Sequence, residues 1–168
     1  MPQLFSKRQL FFKLALSVIF LLTLVFYYNA WQNLSTLSIF VGAYFLGVIL
    51  LFLDEQYLYS LYAEKIDYTE QRSSHYPQLI SRNFLFLLCL PLLSIFVFTS
   101  SGSLFGIALI LSLNFYLLVE MWQLHQEFLL FKDRFLDGVK VDFTAKLVRQ
   151  ICYGVTAYFI VLLLVLIF

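Results

Sequence analysis

The stretch from Asn83 to Val119, NFLFLLCLPLLSIFVFTSSGSLFGIALILSLNFYLLV, carries no charged side chain. At about 20 apolar residues per crossing it is long enough for two membrane-spanning helices. Its turn-forming residues cluster at Thr99-Ser100-Ser101-Gly102-Ser103. The stretch therefore reads as a helical hairpin that enters a bilayer, turns and returns. Glu120 follows it directly, at the inner edge.

The composition points the same way. The chain of 168 residues is 62% hydrophobic and only 12% charged, with a mean hydropathy of +0.88. Soluble domains carry about a quarter charged residues. The expected fold class is an all-α polytopic bundle, a single membrane domain over residues 1–168 with roughly five spans. Working outward from the hairpin, these spans cover about 11–28, 37–53, 83–98, 103–124 and 148–168. A second charge-free stretch, Leu14 to Leu53, supplies the first two spans. It is broken by Asn29, Gln32, Asn33, Ser35 and Thr36 beside the interfacial aromatics Tyr27, Tyr28 and Trp31. Ala30 is a candidate signal cleavage site, but Tyr28 stands two residues before it, where a small residue is needed. An uncleaved signal-anchor is the expectation.

Charge placement predicts the topology. Let the segments before Phe11, from Asp54 to Arg82, and from Glu120 to Arg149 share one side. Ten of the 11 Lys and Arg residues then fall on it, and the eleventh, Lys13, lies in the first turn of the adjoining span. The positive-inside rule puts that side in the cytoplasm, with the N-terminus inside and the C-terminus outside. The segments at about 54–82 and 125–147 are expected to lie at the cytoplasmic interface. Met121, Leu124, Phe128, Phe131 and Phe135 form one apolar stripe, with Glu127 and Arg134 on another face. This predicts an amphipathic helix that continues the fourth span along the surface, ending at Asp137-Gly138. Asp142 or Thr144 is a candidate cap for the last helix.

Several residues carry packing or chemistry in this reading. Pro91 removes an amide donor and frees the Leu87 carbonyl, which predicts a kink; Ser94 is one candidate to satisfy that carbonyl. Gly102-x-x-x-Gly106 and Ala43-x-x-x-Gly47 have the small-residue spacing of close helix contacts, and Ala108 and Ser112 repeat it. Glu120 lies about 25 Å along its helix, near the inner boundary of the hydrocarbon. It reads either as an interfacial acid reaching water, or as an ion site paired with Arg82 and within reach of Tyr116 and Gln123. Asn114 points to a different face, where an interhelical hydrogen bond is expected. His75 and His125 lack any ligand spacing, so no metal or cofactor is expected. Cys89 and Cys152 read as small hydrophobes within spans. No nucleophile elbow, P-loop or dinucleotide fingerprint is present. The basic residues of Lys132–Arg149 are interleaved with acids, which suits lipid headgroups and excludes a nucleic-acid partner.

With Thr99-Ser100-Ser101-Gly102-Ser103-Leu104-Phe105-Gly106 and Glu120-Met121-Trp122 in view, residues 83–124 resemble small multipass membrane proteins of candidate-phylum bacteria. In those proteins a similar turn precedes a span ending in a His-x-x-x-Asp pair. The matching positions here are Tyr116 and Glu120, which cannot form such a metal pair. The resemblance implies a bacterial plasma-membrane location and no particular activity. The functional reading is a non-enzymatic assembly or accessory subunit, with the bilayer and a membrane-protein partner or second copy as its contacts. A small oligomeric transporter or channel using Glu120, Tyr116 and Asn114 is the alternative, and a membrane-embedded enzyme the weakest.

Overall fold

Asparagines and hydroxyl residues set the helix ends. The computed structural model describes residues 7–27, 29, 32–54, 80–101, 103–136 and 144–167. Helix α1, Lys7–Tyr27, is followed by Asn29 at a φ of 48°, a left-handed conformation that asparagine tolerates. Asn33 then caps α2, Leu34–Leu53, accepting from the Ser35 amide at 3.2 Å. A short 3-10 turn, Ile80–Arg82, leads to Asn83, which caps α3, Phe84–Phe96. A π-helical turn, Val97–Ser101, continues α3. Ser103 caps α4, Leu104–Leu124. Helix α5, Phe128–Phe135, is short, and α6 spans Ala145–Ile167. Thr144 precedes α6, its hydroxyl accepting from the Leu147 amide at 3.4 Å, so α6 begins three residues before the expected Val148.

The described part is all helical, without strands. Three helices are long and apolar enough to cross a membrane: Leu34–Leu53, Leu104–Leu124 and Ala145–Leu166. Two shorter apolar stretches, Phe11–Tyr27 and Phe84–Ser100, accompany them. Large apolar side chains cover the exterior; Phe11 is 73% exposed and Leu92 69%. Within the bundle Ser17, Ser94, Ser112 and Asn114 and the charged Lys13, Arg82, Glu120 and Arg134 turn inward instead. That inversion is what lipid demands, because hydrocarbon solvates apolar groups and leaves polar ones to pair internally.

Helix α4 is the most buried and sits at the centre. Its Ala108 and Leu111 pack with Phe40, Ala43 and Tyr44 of α2 and Phe159 of α6 in one apolar cluster. Its Leu117, Met121 and Leu124 join Leu90, Val148 and Cys152 in a second. Side-chain hydrogen bonds tie the helices in pairs. Tyr44 donates to the Ser17 carbonyl at 3.0 Å, joining α2 to α1. Asn114 donates to Ser94 Oγ at 3.0 Å, joining α4 to α3. Trp122 Nε1 donates to Thr156 Oγ1 at 2.9 Å, joining α4 to α6.

The surface helix expected to prolong the fourth span does not form as one piece. Helix α4 stops at Leu124, and the Glu127 amide donates back to the Leu124 carbonyl at 2.9 Å. His125 Nδ1 donates to the Trp122 carbonyl at 2.5 Å, so a side chain takes a bond that the backbone ladder would use. Helix α5 then folds under the bundle. Its Phe131 and Phe135 are wholly buried beside Val148 and Cys152 rather than resting in the interface. The expected continuation of α2 toward Lys65, His75, Gly102 and the Asp137-Gly138 stop lie outside the described residues. The Ser94 hydroxyl donates to the Leu90 carbonyl at 2.7 Å, so it does not serve the Leu87 carbonyl freed by Pro91.

Gly47 allows the closest helix approach. A Cβ there would stand 1.9 Å from Ser112 Oγ and 3.0 Å from the Leu109 carbonyl oxygen. Ala43 is buried on the same side, whereas Gly106 is only half-buried. We expect Gly47→Leu to separate α2 from α4 and Gly47→Ala to cost about 1–3 kcal/mol. Adding Ser112→Ala should recover part of the loss, read as the thermal unfolding midpoint in detergent.

Candidate charged site at the end of the bundle

Glu120 lies on the last turns of α4 with no exposure to solvent. The reading of an interfacial acid reaching water is therefore corrected: α5 closes over the place where water would enter. Arg82, from the turn before α3, meets the carboxylate as a fork. Its Nε donates to Oε1 at 2.8 Å and its Nη2 to Oε2 at 3.0 Å. Such two-pronged pairing fixes both distance and orientation. Arg134 of α5 also donates through Nε to Oε1. Lys13 of α1 brings Nζ within 3.6 Å of Oε2.

Asp54, the residue that ends α2, balances the other side of Arg82. One of its oxygens, Oδ2, stands 3.7 Å from Arg82 Nη1. The same oxygen accepts from the Ser81 amide at 2.8 Å and from the Ser81 hydroxyl. Arg82 Nη1 also donates to Ser81 Oγ at 3.1 Å and to the Leu51 carbonyl at 3.3 Å. Lys13, Asp54, Arg82, Glu120 and Arg134 are all buried. They come from α1, the end of α2, the entry to α3, α4 and α5, so one cluster braces most of the molecule.

The other expected site residues take separate places. Tyr116 is buried one turn before Glu120, and Lys13 Nζ lies 5.4 Å from its ring centroid. Lys13 thus spans Tyr116 and Glu120, a cation-π contact on one side and an ion pair on the other. Asn114 does not belong to the cluster. Besides Ser94 it donates to the Ile110 carbonyl at 2.9 Å, making a polar node beside Pro91. Gln123 is not among the partners of Glu120. His125 faces Trp122 edge-on, with ring centroids 5.1 Å apart. Among the described residues, no group of three His, Cys, Asp or Glu side chains has the arrangement of a metal site.

Lys13, Asp54 and Arg134 escaped the reading of the residues alone. A signal for the basic pair existed. An acid at the end of an apolar span needs cations, and Lys13 and Arg134 are basic residues at helix ends on the same predicted side. Choosing them from among the chain's other basic residues needs the fold. No family model, curated protein or solved structure matches this chain.

Chemically the arrangement is a neutralised carboxylate, not a reactive one. Both oxygens of Glu120 accept hydrogen bonds from guanidinium groups. Glu120→Gln would leave Arg82, Arg134 and Lys13 facing one another, with Asp54 their remaining acid in the cluster among the described residues. We expect a loss of about 3–5 kcal/mol, the usual result of stripping a buried ion cluster of one partner. Arg134→Gln should cost less, about 1.5–3 kcal/mol, because Arg82 and Lys13 still serve the carboxylate. Denaturant unfolding of both variants in micelles checks the order, and equal losses would contradict it.

Proposed function

We propose that this chain is a five-span integral protein of a bacterial plasma membrane, acting as a non-enzymatic assembly or accessory subunit. Its N-terminus is cytoplasmic and its C-terminus outside. The three long apolar helices and two shorter apolar stretches support the span number. The confinement of lysine and arginine to one predicted side supports the orientation. One observation carries the functional reading: the wholly buried Glu120 has both oxygens committed to cations of its own chain. A transported cation or proton would have to displace them. The apolar exterior, by contrast, is free to meet lipid, another membrane protein or a second copy.

The transporter reading retains one favourable observation. Pro91, the π-helical turn Val97–Ser101 and the Asn114–Ser94 bond lie along a single hairpin, and π turns recur where helices do chemical or mechanical work. Its test moves from Glu120, whose loss would unbalance the cluster, to Asn114. An ion or solute flux that falls in Asn114→Ala protein of native stability would replace the assembly reading.

A photo-crosslinking residue placed at exposed Leu92 or Ile160 tests assembly in the intact membrane. We expect a discrete higher-mass protein adduct from at least one of these positions; adducts with lipid alone at both would sink the proposal. A reporter fused after Phe168 should be active only outside the cytoplasm. Cytoplasmic activity there would require an even number of spans.

A further inference from the structure

Of the buried charged side chains at Glu120, those of Lys13, Asp54, Arg82 and Glu120 itself are carried on, or directly beside, the apolar helices. Arg134 alone arrives on a short helix that is not one of the apolar crossings. Helix α5 is bounded on both sides by non-helical residues. The turn at His125–Glu127 joins it to α4, and Leu136 ends it with a φ of −119°. It can pivot about the first turn without altering α4, as hinges at element ends do.

The charge balance at Glu120 is compatible with that movement. With α5 in place, Glu120 and Asp54 face Lys13, Arg82 and Arg134. With Arg134 withdrawn, Glu120 keeps the two-pronged bond from Arg82 and the nearby Lys13. The carboxylate therefore stays neutralised. Arg134 regains water, so neither side of the broken pair is left buried and charged, the situation that makes most buried pairs costly to open. Among the described residues, the Arg134 bond and the burial of Phe131, Phe135 and Leu136 hold α5 closed.

We propose that α5 is a releasable strap. It is latched by Arg134 to a carboxylate whose charge is satisfied without it, and its release uncovers an apolar surface on α4 and α6. That surface comprises Met121 and Leu124 on α4 and Val148 and Cys152 on α6, all in the cluster that Phe131 and Phe135 complete. The inference is independent of the proposed assembly role, since it depends only on which side chains meet at Glu120.

Cys152 is a native reporter, because it is wholly buried in that cluster. The exposed Cys89 is first changed to alanine. N-ethylmaleimide labelling of Cys152 is then followed in the purified full chain in micelles. Arg134→Gln should label about ten- to a hundredfold faster, the factor expected from losing one charge-assisted bond. Arg134→Lys, which keeps the charge, should restore most of the protection. Labelling at the native rate in a folded Arg134→Gln protein would overturn the proposal. So would fast labelling that accompanies unfolding of the whole bundle, since Arg134 would then be a brace and not a latch. If Arg134→Gln does not accumulate, hydrogen exchange on the Cys89→Ala protein decides. Amides of 128–135 opening together and about tenfold faster than those of 104–124 support the strap, and opening in step with α4 overturns it.

Discussion

A carboxylate shut away from water needs a cation within a few ångströms, or it will not remain charged. Glu120 meets this condition with a guanidinium fork from Arg82, a second guanidinium from Arg134 and the ammonium of Lys13. The condition propagates. Arg82 must sit at the mouth of α3, which Asp54 arranges by gripping Ser81. Lys13 must be low on α1, and α5 folds under the bundle to add Arg134 to a carboxylate that Arg82 and Lys13 already neutralise. The ends of the helices are thus positioned by one ionic centre, while their lengths are positioned by apolar contact.

Away from that centre, neutral hydrogen bonds take over. Ser17 with Tyr44, Ser94 with Asn114 and Trp122 with Thr156 each join a different pair of helices. In hydrocarbon such bonds are worth only about 1 kcal/mol each. Their larger effect is on register, because a helix that slides by one turn leaves each group without its partner. The close approach at Gly47 acts similarly through shape: Ser112 fits where no Cβ stands. Polar matching and backbone proximity together specify which helix faces lie against α4. The apolar residues, being interchangeable between protein and lipid, do not specify this by themselves.

Helix α5 shows how one pattern admits two structures. A stripe of Phe128, Phe131 and Phe135 suits a membrane interface and a protein core equally, since both remove the rings from water. The continuous periodicity from Met121 onward favours an unbroken helix. The break comes from His125, whose ring bonds the Trp122 carbonyl, and from the bond that Arg134 adds to Glu120. Neither is a property of the stripe.

What the residues determined unaided is the class of the molecule: charge-free stretches of spanning length, the candidate cap Thr144 before the last helix, and the one-sided charge. Hydrophobicity, caps and periodicity are local, so they can be read along a line. The pairing of Glu120 with Arg82 was one of two readings, because an acid at a span boundary is also stable when it reaches water. Only the tertiary structure excluded water there. It also drew in Lys13, Asp54 and Arg134, residues separated from Glu120 by large parts of the chain or by a turn that periodicity does not announce. The reason is that ionic attraction in a place without water acts through space. Which cation answers a buried carboxylate depends on which helix ends meet, and no spacing along the chain records that.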